Sequence, residues 1–269
     1  MDVLILHGWN LSSERYQPLI RALRKKRYRV IAPDFPGFGT AMLPSRVFAL
    51  DDYVTFTADF IKKNNMKKPI VIGHSFGGRV GIKLAGTKKS LISGLVLTGV
   101  PGVRFASKAK LSFFLIAAKV GGMVFSLPLL RNLRDTARRF LYRAARESDF
   151  YQAKGVMRGT FKRIISEELI TPMKKIRLPV LLVWGRNDGV TPLRIANSMN
   201  KIIPRAHLEI IEDATHQLPW THPQALIKAV DRISKSRLLG DPPKRREQKN
   251  KAKKSIEIIN SSSEDPEIN

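Results

Sequence analysis

Cysteine is absent from all 269 residues. That excludes disulfides, a thiolate metal site and a cysteine nucleophile, and it fits a reducing compartment. Acidic residues are scarce, with 22 Asp and Glu against 48 Lys and Arg, so the chain carries a formal charge of +26. Such an excess predicts long-range attraction to anionic surfaces. No RNA-binding aromatic signature or zinc-finger spacing accompanies the charge, so specific nucleic-acid binding is not expected. The run Met1-Asp2-Val3-Leu4-Ile5-Leu6 has neither a charged leader nor a small-residue cleavage site. No signal peptide is read there, and the expected location is cytoplasmic, with contact to membranes only from the periphery. No cluster of His, Asp and Glu has metal-ligand spacing, so neither a metal nor another cofactor is expected.

What is present is a regular alternation of short apolar runs and amphipathic segments. Residues 2–6 read as a buried strand that stops at His7-Gly8-Trp9-Asn10, and Ser12-Ser13-Glu14 opens a helix to about Lys26. Tyr28 to Ala32 is a second strand, ending in Pro33-Asp34-Phe35-Pro36-Gly37-Phe38-Gly39. Asp51 and Asp52 start a helix with Tyr53, Phe56 and Phe60 on one face, and the run from Ile70 is the next strand. A helix to about Lys88 and a strand from Leu91 to Thr98 follow. After a break, the pattern resumes with a strand ending at Gly185, a helix from Thr191-Pro192, a strand from His207 to Ile211 and a last helix from about Pro223 to Ser236. Strands followed each time by helices imply a mostly parallel α/β sheet of about six strands, helices on both faces, and loops gathered at the strands' carboxyl ends.

Two stretches leave the alternation. Residues 103–171 hold 14 Lys or Arg against 5 Asp or Glu and read as an inserted helical lid between core segments 1–102 and 172–238. Within the lid, Leu111 to Leu130 approaches the length of a membrane span, but Lys119, Gly121-Gly122 and Pro128 interrupt it. Two lid helices bent at Gly121-Gly122 are expected. The competing reading is an interfacial helix with Lys108, Lys110, Arg131 and Arg134 toward headgroups. Residues 239–269 form a charged tail, with seven basic residues among the eleven from Lys244 to Lys254, and this composition is expected to be disordered.

The chemistry centres on Gly73-His74-Ser75-Phe76-Gly77, which fits G-x-S-x-G between an apolar strand and a helix-compatible segment. A serine nucleophile needs a base to take its proton and a carboxylate to hold that base. Asp188 falls in the loop after one late strand and His216 in the loop after the next, both at the sheet edge that carries Ser75. Asp213 is nearer to His216 in sequence but reads as the end of a strand, and Asp188 is preferred. An oxyanion would need two backbone N–H donors, for which Phe76 and Trp9 are the candidates, with Gly8 leaving room beside Trp9. His74 and His7 read as packing and loop residues, and Asp34 as a structural loop residue.

With its His7-Gly8-Trp9 loop, Asp34 ahead of Pro36-Gly37-Phe38-Gly39, the Ser75 turn with Gly78, and Asp188 before His216, the chain resembles the α/β-hydrolase fold superfamily over about residues 3–236. The resemblance implies a lid-bearing esterase or lipase-like serine hydrolase with Ser75 as nucleophile, Asp188 as acid and His216 as base. Members usually carry an amino-terminal hairpin before the His-Gly loop; here one residue precedes the first strand, so the sheet is expected to begin at the usual third strand. The expected substrate is a small-molecule carboxylic ester or thioester with an apolar part, suited to Phe113, Phe114, Leu115, Ile116, Met123 and Phe125 of the lid. A carbon–carbon bond hydrolase or cofactor-free haloperoxidase would use the same three residues. A non-enzymatic basic protein that binds anionic membrane or nucleic acid would use none of them.

Overall fold

The structure, a computed structural model, describes residues 1–88, 90–103 and 153–238. The helices expected within Leu111 to Leu130, the apolar lid side chains and the tail at 239–269 lie outside the described residues. In chain order the elements are β1 (Asp2–Leu6), a 3-10 turn (Ser13–Tyr16), α1 (Gln17–Lys25), β2 (Arg29–Ile31), α2 (Leu50–Lys63), β3 (Ile70–His74), α3 (Phe76–Thr87) and β4 (Gly94–Thr98). After residue 152 come α4 (Gly155–Ser166), α5 (Ile170–Lys175), β5 (Val180–Gly185), α6 (Leu193–Ile202), β6 (Ala206–Ile211), α7 (Leu218–Thr221) and α8 (Pro223–Leu238).

The six strands form one sheet in the order β2-β1-β3-β4-β5-β6, and every pairing is parallel. Each strand therefore needs a crossover, and the helices that supply the crossovers cover both faces. Side chains alternate accordingly. Leu4, Val71, Leu95, Leu97, Leu182 and Trp184 enter the core under α2, α3, α5 and α6. Val3, Ile5, Ile72, Val96, Leu181 and Val183 enter the core under α1 and α8. With both faces buried, the central strands read as continuous apolar runs rather than as a polar–apolar alternation.

The order reverses at β1, whose neighbours are β2 and β3. At such a switch point the loops after adjacent strands diverge to opposite faces and leave a crevice at the carboxyl ends. The loops after β1, β3, β4, β5 and β6 open onto this edge. Asp34 ties the loops after β1 and β2 together: one carboxylate oxygen accepts the Ser13 N–H at 2.6 Å and the other accepts the Thr40 N–H at 3.0 Å. These hydrogen bonds, working against burial, hold its pKa below the usual carboxylate range.

Several boundaries differ from the sequence reading, two of them for clear local reasons. The strand expected from Leu91 begins at Gly94, because the Leu91 N–H closes a turn onto the Lys88 carbonyl and the Ser93 N–H goes to Pro69. The helix expected from Ser12 opens as a 3-10 turn, and α1 proper starts only at Gln17, with Pro18 in its first turn. In addition, α5 straddles the lid boundary expected at residue 171.

The last part of the stretch read as lid is anchored by a buried arginine. Arg79, on α3, is 3% exposed and donates to the carbonyls of Ile164 at 2.9 Å, Glu167 at 2.6 Å and Pro101 at 2.5 Å. It thus joins the chain just before residue 103 to the end of α4, where a cation also complements the helix dipole.

Candidate active site

Ser75 occupies the single residue between β3 and α3, at φ 50° and ψ −114°. An L-residue there is strained by about 1–3 kcal/mol, a cost met by the surrounding structure. Its N–H donates to the Thr98 carbonyl at 3.0 Å, and its carbonyl accepts from Gly78 at 3.1 Å. The glycines around it are required by close packing. A Cβ on Gly77 would lie 2.1 Å from the Leu6 carbonyl oxygen, and one on Gly73 would lie 2.6 Å from the Gly78 Cα. The tight passage of α3 over the ends of β1 and β3 leaves Ser75 half-buried.

His216 lies in the loop after β6, and its Nδ1 is 2.9 Å from Asp188 Oδ2. Asp188 is 5% exposed and is gripped by its own loop. Its Oδ1 accepts the N–H groups of Val190 at 2.9 Å and Thr191 at 2.7 Å, and its Oδ2 accepts the Thr191 hydroxyl at 2.7 Å. Burial pushes the Asp188 pKa up, but the His216 contact and the Thr191 hydrogen bonds outweigh it and hold the group below its ordinary value. Asp188 is therefore ionised at neutral pH, and an ionised carboxylate beside Nδ1 selects the tautomer with the proton on Nδ1. That leaves Nε2 as a free acceptor. Asp213, the other carboxylate considered, is exposed.

The imidazole of His216 rests on Gly99, where a Cβ would come within 2.7 Å of Cε1 and 2.8 Å of Nδ1. Gly99 directly follows Thr98, whose carbonyl holds the Ser75 N–H. Ser75, Asp188 and His216 thus follow the carboxyl ends of β3, β5 and β6 of the one sheet. Among the described residues Ser75 Oγ makes no hydrogen bond, and the side-chain hydrogen bond that joins two of the three is that between Asp188 and His216.

Trp9 and Phe76 also meet here. Their rings pack edge to face with centroids 5.5 Å apart, and Trp9 further touches Phe38 at 4.8 Å and Phe161 of α4 at 4.9 Å. Phe76 is the first residue of α3, so its N–H has no acceptor within the helix and lies where the helix dipole favours negative charge. These rings form one largely buried aromatic cluster at the start of α3, and the α4 segment contributes to it.

His7 does not reach the serine. Its Nδ1–H donates to the Gly8 carbonyl at 2.8 Å and its Nε2 accepts the Phe35 N–H at 2.9 Å, and burial lowers its pKa. It is a neutral loop brace, as the sequence reading had it. Two residues that reading missed are Thr191 and Tyr16. Thr191 could have been found from the spacing Asp188-Gly-Val-Thr, a turn in which an Asp side chain collects the N–H groups two and three residues on. Tyr16 carries no local signal; its hydroxyl meets Gly8 and His74 only in the folded chain. Among the described residues there is no group of three or more His, Asp or Glu side chains able to hold a metal ion.

A family model described as alpha/beta hydrolase fold matches residues 3–223. Among curated relatives, the pimeloyl-(acyl-carrier protein) methyl ester esterase of Nitrosomonas europaea is 27% identical over 248 residues, 86% of this chain and 95% of that protein. Among solved structures, an esterase from Exiguobacterium antarcticum superposes with a TM-score of 0.68 at 17% identity, over 87% of this chain and 92% of its own. A bromoperoxidase from Bacillus anthracis gives a TM-score of 0.65 at 20% identity, over 87% and 91%.

Proposed function

The chain belongs to the alpha/beta hydrolase family, and on that premise we propose that it is a serine hydrolase that cleaves a carboxylic ester or thioester with an apolar part through an acyl-enzyme. Ser75 Oγ attacks the carbonyl carbon while its proton passes to His216 Nε2. The N–H groups of Trp9 and Phe76 bind the oxyanion, and Asp188 stabilises the imidazolium that forms. Collapse returns the proton to the leaving alcohol or thiol and leaves the acyl group on Ser75. Water, deprotonated by His216, then attacks the acyl carbon and releases the acid. The observation that carries this reading is the Asp188–His216 hydrogen bond of 2.9 Å beside a serine held in strained geometry at a helix amino terminus.

The named esterase relative supports ester cleavage, and the aromatic cluster of Trp9, Phe38, Phe76 and Phe161 beside the Ser75 turn supports an apolar substrate part. Turnover of p-nitrophenyl esters from acetate to laurate tests the reading: saturable hydrolysis is expected that Ser75→Ala abolishes. Faster cleavage of a vinylogous diketone, or bromination of a test substrate that requires both bromide and hydrogen peroxide in place of ester turnover, would move the assignment to the carbon–carbon hydrolase or haloperoxidase alternative.

A second, finer reading is that the enzyme works against an anionic lipid surface. No described helix is long and apolar enough to span a bilayer. Yet Met42 is 88% and Leu43 69% exposed, in a loop that also carries exposed Arg46 and packs against α4, with its exposed Lys154 and Lys162. An exposed apolar tip on a segment that also carries exposed cations suits headgroups and the acyl boundary. Sedimentation with phosphatidylglycerol vesicles should fall for the Met42→Ser, Leu43→Ser double variant; equal sedimentation removes this loop from the binding surface.

A further inference from the structure

Behind the three residues of the proposed triad lies a second line of hydrogen bonds that the chemistry above does not use. Tyr16 is fully buried and His74 is 1% exposed. The Gly8 N–H donates to Tyr16 Oη at 3.0 Å, Tyr16 Oη is 2.6 Å from His74 Nδ1, and His74 Nε2 is 3.1 Å from the His216 carbonyl oxygen. The polarity of every link is fixed by its ends. A backbone carbonyl only accepts, so His74 Nε2 carries the proton and donates. A neutral imidazole has one N–H, so Nδ1 accepts and the Tyr16 hydroxyl donates to it. The Tyr16 oxygen in turn accepts from the Gly8 amide, which can only donate.

We propose that Tyr16 and His74 are positioning residues, a relay that sets the oxyanion loop and the backbone of His216 in register on either side of Ser75. At one end the relay fixes the amide of Gly8, the residue immediately before Trp9, whose N–H is an oxyanion donor. The His74 ring also fills the space beside Gly8, where a Cβ would lie 3.1 Å from Nδ1. At the other end it holds the main chain of His216, whose side chain Asp188 holds independently. His216 is thereby fixed at two points, from the end of β3 and from the loop after β5. Because His74 immediately precedes Ser75, the relay runs beneath the serine.

The relay keeps one protonation state. Burial, reinforced by the neighbouring His216, lowers His74 to about 3, and burial pushes the Tyr16 phenol well above its ordinary range. The charged or titratable groups that bear on His74 are His216, Asp188 and His7, and Arg15 bears on Tyr16. Trp220 closes the side of the relay, its ring edge to face with Tyr16 at 6.0 Å and with His74 at 5.7 Å. Two buried polar side chains with every directed bond satisfied are costly to maintain if packing alone were required, since Phe and Leu fill such space without a partner.

This proposal rests on the reading of Ser75 as nucleophile, and the test separates the two. Wild type, Ser75→Ala, Tyr16→Phe, His74→Phe and His74→Gln are compared for fluorophosphonate labelling rate and for kcat and KM on one activated ester, well below each variant's melting midpoint. Tyr16→Phe and His74→Phe should lower kcat and the labelling rate about tenfold to a hundredfold, the loss expected from donors displaced by up to 1 Å, with KM within about twofold. His74→Gln, whose amide can donate to the His216 carbonyl and accept from Tyr16, should recover most of that loss. If Ser75→Ala labels like wild type, the nucleophile reading falls and the relay with it. If Ser75→Ala is silent while Tyr16→Phe and His74→Phe keep wild-type rates, or lose activity only in proportion to unfolding, the relay alone is overturned.

Discussion

Gly77→Ala is the substitution whose consequence follows most directly from the geometry of the Ser75 turn. The added Cβ would stand 2.1 Å from the Leu6 carbonyl oxygen, 2.4 Å from its carbon and 2.7 Å from the His7 oxygen, all backbone atoms of the strand end and loop that α3 crosses. Ordinary contact begins near 3.4 Å, so α3 and the end of β1 must separate by about 1.3 Å, with no flexible side chain to absorb the change. That movement breaks the 3.0 Å hydrogen bond from the Gly77 N–H to the His7 carbonyl, worth about 1 kcal/mol. Overpacking adds about 1–3 kcal/mol, so the total is about 2–4 kcal/mol. The same shift carries the Phe76 N–H away from the Trp9 loop, and a displacement near 1 Å costs about a hundredfold in rate. Urea unfolding and fluorophosphonate labelling measure the two effects. Gly189→Ala, beside Asp188 but with no atom within 4 Å of its Cβ, serves as control and should change stability by less than about 0.5 kcal/mol. A Gly77→Ala protein that unfolds and labels like that control would refute the reasoning.

Asp188→Asn should leave the loop intact, because Oδ1 can still accept from Val190 and Thr191. Its NH2 would then face His216 Nδ1, reverse the tautomer and protonate Nε2. Acylation should slow by about a thousandfold or more, measured as single-turnover release from an activated ester. For pH dependence, His74 binds a proton near 6.5 when unfolded but only near 3 when folded. Acidification below 6.5 therefore protonates the unfolded chain first, and stability falls by about 1.4 kcal/mol per pH unit from this group until about pH 3. Urea midpoints across that range should decline less steeply in His74→Gln than in wild type. Arg79→Ala strips the donors from the carbonyls of Pro101, Ile164 and Glu167. It should cost about 3 kcal/mol or more in the same assay, and equal midpoints would contradict the clamp.

The alternation of strands and helices was legible because both faces of a parallel sheet are covered, and runs such as Val180 to Trp184 cannot be mistaken for loops. The Ser75 turn was legible because backbone packing, of Gly73 against Gly78 and of Gly77 against Leu6 and His7, leaves a compact glycine signature around the serine. Asp188 and His216 could be placed because each follows a strand at the same sheet edge. Other features depend on contacts between distant parts of the chain. The Tyr16–His74 pair spans 58 residues and the His74–His216 pair 142, and neither partner carries a periodicity or spacing that points to the other. Arg79, on a helix beside a glycine pair, carries no local signal of its role either. Its burial arises from the Ile164 and Glu167 carbonyls, more than eighty residues on. The three-residue length of β2 and the late start of β4 reflect which carbonyl each amide finds, a competition that apolar patterning does not encode.

The central claim is that Ser75 is the nucleophile of this member of the alpha/beta hydrolase family. Intact-mass analysis after reaction with a fluorophosphonate, followed by peptide mapping, tests it most directly. One adduct per chain on the peptide carrying Ser75 is predicted, absent from Ser75→Ala and slowed by Asp188→Asn. An adduct that persists in Ser75→Ala, maps to another residue, or never forms on folded wild type would contradict it.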